Sequence, residues 1–101
     1  MRRVVITGMG IVSSIGSTLD EVTRSLRQGI SGISFSEQMA EFGFRSRVWG
    51  RPGLNVDEVL DKKTRRFMGE GAAWNYVAMR DAIEDAGLGP DEVSHEMTGI
   101  V

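Results

Sequence analysis

Three consecutive β-branched residues, Val4-Val5-Ile6, run straight into Thr7-Gly8-Met9-Gly10. Branching at Cβ restricts χ1 and suits a pleated strand. An apolar run without polar alternation is the pattern of a strand covered on both faces, as in α/β sheets. The chain is therefore expected to open with a strand over Arg3 to Ile6, ended by glycines that permit a tight turn and close backbone approach. Such a strand has no polar face to give to water, so it needs neighbours above, below and alongside.

The following residues supply helices before another strand. Ile11 to Gly16 is a small, glycine-bounded connection. Thr18 and Glu21 have capping-box spacing, and Leu19, Val22 and Leu26 share one helical face. Gly29 is placed to stop that helix, with Ile30 making the apolar contact that follows a glycine cap. From Ser31 to Gly53 the glycines and Pro52 interrupt regular structure, apart from a short strand near Ser46 to Trp49. Asn55 or Val56 to Asp61 reads as a helical turn, with Asp57 and Glu58 near its positive end.

The strongest periodicity predicts a helix over Phe67 to Ala86. Met68, Ala72, Tyr76, Met79, Ile83 and Ala86 recur at three- and four-residue steps, a stripe widened by Ala73, Val77 and Ala82. Its small residues invite another backbone to pack close. Gly87 and Leu88 fit a glycine stop, and Pro90 is expected to bar resumption. Thr98 to Val101 reads as the start of a second strand. Two strands seldom suffice for a stable sheet, so residues 1–101 are expected to be an incomplete amino-terminal segment of a larger α/β domain.

Composition excludes several classes. With 41% hydrophobic and 26% charged residues, the chain is not disordered by composition. No apolar run approaches the roughly 20 residues that cross a bilayer. Arg2-Arg3 before an apolar run imitates a secretory signal, but Thr7, Gly8 and Gly10 interrupt it and no small-x-small cleavage site follows. A cytoplasmic location is expected. The absence of cysteine removes disulfides, thiolate metal sites and a cysteine nucleophile from these residues. His95 is the single histidine; with no companions for a metal site it reads as a solvated loop residue. Trp49 and Trp74 read as packing residues, and without a stacking series they give no support to nucleic-acid binding.

Gly8-Met9-Gly10 after a strand invites comparison with a dinucleotide-binding turn. That fingerprint needs a third glycine, where this chain has Ser13, and no strand ending in Asp or Glu follows at the required distance. No serine is raised to a nucleophile by a neighbouring base, so no complete catalytic constellation is present.

Charge is more informative. Residues 45–66 carry seven basic and three acidic side chains, and residues 67–101 carry one basic and seven acidic, inside a chain of net charge −2. The sharpest feature is Lys62-Lys63-Thr64-Arg65-Arg66. On a helical turn Lys62, Lys63 and Arg66 share a face. Such a patch suits a phosphate or an acidic helix, or is simply a solvated surface. Phe67 and Met68 are expected to anchor it to a core.

Taken together, Val4-Val5-Ile6-Thr7-Gly8-Met9-Gly10-Ile11-Val12-Ser13, Gly29-Ile30-Ser31-Gly32-Ile33, Arg66-Phe67-Met68, Asp81-Ala82 and Asp85-Ala86-Gly87-Leu88 resemble the amino-terminal part of the β-ketoacyl-acyl-carrier-protein synthases, the condensing enzymes of fatty-acid synthesis. Phe35-Ser36-Glu37-Gln38, Arg45-Ser46 and Val48-Trp49-Gly50 are most similar to the synthase I branch. The resemblance implies an α/β, thiolase-like fold, of which residues 1–101 are the opening of the first half, and a homodimer. It implies a decarboxylating Claisen condensation with malonyl-carrier protein. In that reaction a cysteine accepts the acyl chain and two histidines assist, without cofactor or metal. The catalytic cysteine and both histidines lie outside these residues, and His95 matches neither histidine.

The carried-over role is docking of the acidic helix of acyl-carrier protein. Lys63 and Arg66 match that pattern, joined by Arg45 and by Lys62, which stands at an arginine position and keeps the charge without the fork geometry. Two rivals stand beside this reading: a non-catalytic partner of the same fold, like the chain-length factors, and an unrelated nucleotide-binding α/β domain.

Overall fold

The computed structural model describes residues 1–101. Six helices and one two-stranded ribbon follow in chain order: α1 (Leu19–Gln28), β1 (Ser34–Phe35), α2 (Glu37–Glu41), β2 (Val48–Trp49), α3 (Val56–Val59), α4 (Lys62–Arg65), α5 (Glu70–Ala86) and α6 (Pro90–Val93). Helix ends fall where local chemistry puts them. Thr18 Oγ1 accepts the Glu21 amide, and Gly29 closes α1 in the left-handed conformation at φ 65°. The Glu21 carboxylate reaches one residue further back than a regular capping box, accepting the Ser17 amide at 2.8 Å. Gly87 closes α5 in the same left-handed conformation at φ 68°, where any other residue meets a steric penalty.

The two expected apolar strands do not form. Val4, Val5 and Ile6 join no sheet and are 94%, 74% and 83% exposed, and Thr98 to Val101 are likewise unpaired. A strand is defined by its partner, and neither segment has one among residues 1–101. The only sheet is the antiparallel β1–β2 ribbon, with Ser34 opposite Trp49 and Phe35 opposite Val48. β2 lies within the expected 46–49 segment; its partner sits in the glycine-punctuated stretch read as irregular.

Three further expectations are corrected. The long helix starts at Glu70, because Arg66 to Gly69 turn away and leave 62–65 as a separate helix. Pro90 occupies the first turn of α6 instead of barring a helix, a position where its missing N–H costs nothing. On α1 the buried pair is Val22 and Ser25, with Leu19 and Leu26 exposed. Ser25 is there because its hydroxyl donates to the Ile15 carbonyl at 2.7 Å, tying α1 to the preceding connection.

The core is small: Val56, Leu60, Ala73 and Val77, flanked by Val12, Leu54, Met68 and Trp74. Trp74 Nε1 donates to the Leu54 carbonyl at 3.4 Å. Part of the long helix's apolar stripe is left uncovered, since Tyr76 and Met79 remain exposed. The other close packing involves the glycine turn. A Cβ on Gly8 would lie 2.7 Å from Ala86 Cβ, and one on Gly10 would fall on the Ala78 carbonyl and 2.7 Å from the Ala82 amide nitrogen. The Met9 amide donates to Asp85 Oδ2 at 2.9 Å. Glycines at 8 and 10 thus let this segment lie against the alanine face of α5.

The molecule is open. Its radius of gyration is 16.9 Å, where a compact 101-residue domain has about 13 Å. Its accessible surface is 8533 Å², where a folded monomer of this mass has about 5,700 Å². The polypeptide 1–101 produced alone is therefore expected to self-associate or to unfold without a sharp transition. A monomer in sedimentation analysis with a cooperative, high-temperature melt would contradict this. In the full-length protein, Gly10→Ala is expected to cost about 1–3 kcal/mol in urea unfolding through overpacking. Gly71→Ala, which meets open space, should be neutral or mildly stabilising; equal stability of the two variants would refute the close approach.

Candidate functional site

The basic segment forms the four-residue α4 and its C-cap, between α3 and the long α5. Asp61 is the N-cap of α4: its Oδ1 accepts the Lys63 and Thr64 amides at 3.0 Å each, and its Oδ2 accepts the Thr64 hydroxyl at 2.5 Å. An aspartate suits this place because its carboxylate satisfies two of the amides that a helix start leaves without partners. The Thr64 hydroxyl foremost, then the amides of Thr64 and Lys63, hold the Asp61 carboxyl below its ordinary range.

Lys62, Lys63 and Arg66 are exposed, and none forms an ion pair within the molecule. The structure brings these three together on one short helix and its C-cap. Arg66 lies with its guanidinium 5.1 Å from the Phe67 ring centroid, within cation–π range. Phe67 does not anchor the segment as expected: it is 87% exposed. Met68 does, packing against the Val56–Leu60–Ala73–Val77 cluster. Arg65 is turned inward; its Nε lies 2.9 Å from Asp57 Oδ1, an ion pair without hydrogen-bond alignment, and its Nη1 donates to the Met68 carbonyl.

Arg45 lies elsewhere. It lines a shallow apolar groove with Met39, Phe44, Ser46 and Val48, and no hydrogen bond or ion pair joins it to residues 62–66. The remaining cation of the basic block with a defined partner is Arg51, stacked 5.3 Å from the Trp49 centroid and paired with Glu70 at 2.5 Å. It is neutralised within the fold, a pairing across 19 residues that no local pattern reveals.

The Gly8-Met9-Gly10 turn is not arranged to receive phosphate. Its glycines face the α5 backbone, and the Met9 amide is taken by the Asp85 carboxylate. His95 Nδ1 accepts the Met97 amide at 3.1 Å in an exposed turn. No helix is long and apolar enough to cross a membrane.

The profile of the family described as "Beta-ketoacyl synthase, N-terminal domain" matches residues 1–101. The chain belongs to the β-ketoacyl synthase family. It is 52% identical over all 101 residues to 3-oxoacyl-[acyl-carrier-protein] synthase 1 of Haemophilus influenzae, covering 25% of that protein. It is 48% identical over 91 residues, 90% of this chain and 22% of the relative, to the protein of the same name in Escherichia coli K12. The chloroplastic 3-oxoacyl-[acyl-carrier-protein] synthase I of Arabidopsis thaliana is 35% identical over 94 residues, 92% of this chain and 20% of that protein. This β-ketoacyl synthase chain spans about a quarter of the length of the relatives it matches.

The lowered carboxyl of Asp61 gives a signed expectation. A group whose folded pKa is depressed contributes stability above its unfolded value and loses it as pH falls through the folded one. The α4 cap should therefore hold from neutral pH down to the ordinary carboxylate range and release only below it. Amide chemical shifts of Lys63 and Thr64 report this, and Asp61→Asn should remove the pH step while keeping a cap. A step at higher pH, or none in the wild type, would contradict the hydrogen-bonded cap.

Proposed function

We propose that the protein carrying these residues is a 3-oxoacyl-acyl-carrier-protein synthase of the synthase I type. It has a thiolase-like fold, acts in the cytoplasm as a homodimer, and catalyses decarboxylating condensation of an acyl group with malonyl-carrier protein. Residues 1–101 supply scaffold and part of the carrier-docking surface. The family match over residues 1–101 carries this reading. The condensation needs a thiolate to hold the acyl group and imidazoles at the developing enolate. These residues have no cysteine and one histidine committed to a surface turn, so the reacting groups lie in the rest of the protein.

The docking role is supported by Lys62, Lys63 and Arg66, which are exposed and uncommitted to any internal acid. Unpaired surface cations fixed on one turn raise the encounter rate with an acidic partner and orient it. Arg45 is a separate, outlying contact in this reading, since nothing in the fold couples it to α4.

Lys63→Glu with Arg66→Glu in the full-length protein is expected to weaken carrier-protein binding at least tenfold by titration calorimetry or surface resonance, about 1.4 kcal/mol or more. The residual affinity should depend less on salt. Turnover of a short acyl thioester that bypasses the carrier should persist. Unchanged carrier affinity in the double variant would refute the docking role.

A further inference from the structure

We infer that Arg65, the remaining cation of the 62–66 cluster, is a positioning residue that holds the basic face in register with the core. This rests on the docking reading of Lys62, Lys63 and Arg66. Arg65 is set apart from them by burial and by partners. Its side chain is 22% exposed, and it pairs across to Asp57 on α3. It also donates to the carbonyl of Met68, past the end of α4. Met68 in turn packs on the core cluster. One planar guanidinium therefore ties α3, the end of α4 and the link into α5.

Arginine is suited to this because its rigid fork offers several N–H groups in one plane, which an ammonium cannot reproduce. A four-residue helix is too short to persist by propagation. It needs fixing at both ends, by Asp61 at the start and by Arg65 at the finish. Asp57 is 68% exposed, so the ion pair alone is weak and screened; the Met68 carbonyl gives the second hold. Without Arg65 the three docking cations keep their charge but lose fixed spacing, and an acidic partner must order them on binding.

The test uses the full-length protein with Arg65→Met, Arg65→Lys and Asp57→Asn. In Arg65→Met, backbone amides 64–68 should exchange faster, and carrier affinity should fall about threefold to tenfold, as expected for one lost arginine hold. The salt slope of binding should stay that of the wild type, because no docking charge is lost. Arg65→Lys should not restore affinity, and Asp57→Asn should add nothing to Arg65→Met. A reduced salt slope, or rescue by lysine, would mean that Arg65 touches the carrier directly and would overturn the inference. Unchanged exchange at 64–68 would overturn it as well. Failure of the docking reading is seen separately: it is carrier binding indifferent to Lys63→Glu and Arg66→Glu, whatever the exchange at 64–68 shows.

Discussion

The close approach of residues 8–10 to α5 is the constraint on which the arrangement of this segment depends. Two glycines remove the Cβ atoms that would strike the Ala78, Ala82 and Ala86 region, and the Met9 amide finds its acceptor in Asp85. With those contacts in place residues 8–10 are held against the long helix, and Ile11 to Ser17 are brought to α1 through Ser25. The four-residue core of Val56, Leu60, Ala73 and Val77 then sits on a neighbouring face of α5. One helix thus serves two packings of different kind: backbone against backbone through small residues, and aliphatic side chains against α3.

That division explains which features can be read from sequence. Caps are local: Thr18, Gly29 and Gly87 act within one turn of their own position, and each stands where its residue type places it. The helical turn after Asn55 and the heart of the long helix follow from the same short-range logic. The strands at Arg3–Ile6 and Thr98–Val101 are another matter. Their β-branched composition records a demand for neighbours, and hydrogen bonding to those neighbours is non-local. The exposed Val4, Val5 and Ile6 preserve that demand unmet. Similarly, Tyr76 and Met79 belong to a periodic stripe whose pattern reflects more surface than α3 and the turn can cover.

In the candidate site, sequence placed Lys62, Lys63 and Arg66 on one turn through their spacing. It did not distinguish Arg65, which has the same chemistry and differs only in facing Asp57 and the Met68 carbonyl. Nor did it foresee that Arg51 would be neutralised by Glu70 or that Phe67 would lie outside the core. Net charge over a block counts cations; only tertiary structure separates those spent inside the molecule from those left for a partner. Of the seven basic residues in 45–66, Arg51 and Arg65 are spent in this way.

The basic helix and the apolar surfaces differ in what they require. The apolar surfaces are incompletely covered among residues 1–101, with Val4, Val5, Ile6, Tyr76 and Met79 left exposed. α4 needs little beyond its immediate surroundings: Asp61 caps its start, Arg65 and Met68 fix its end, and α3 supplies the counter-charge. A surface built from such short-range bonds keeps its geometry independently of how distant strands are completed. That property suits the docking role proposed for α4, because recognition of an acidic partner depends on the spacing of a few charges, whereas the acyl-transfer chemistry proposed for the whole protein depends on the assembly of residues far apart in the chain.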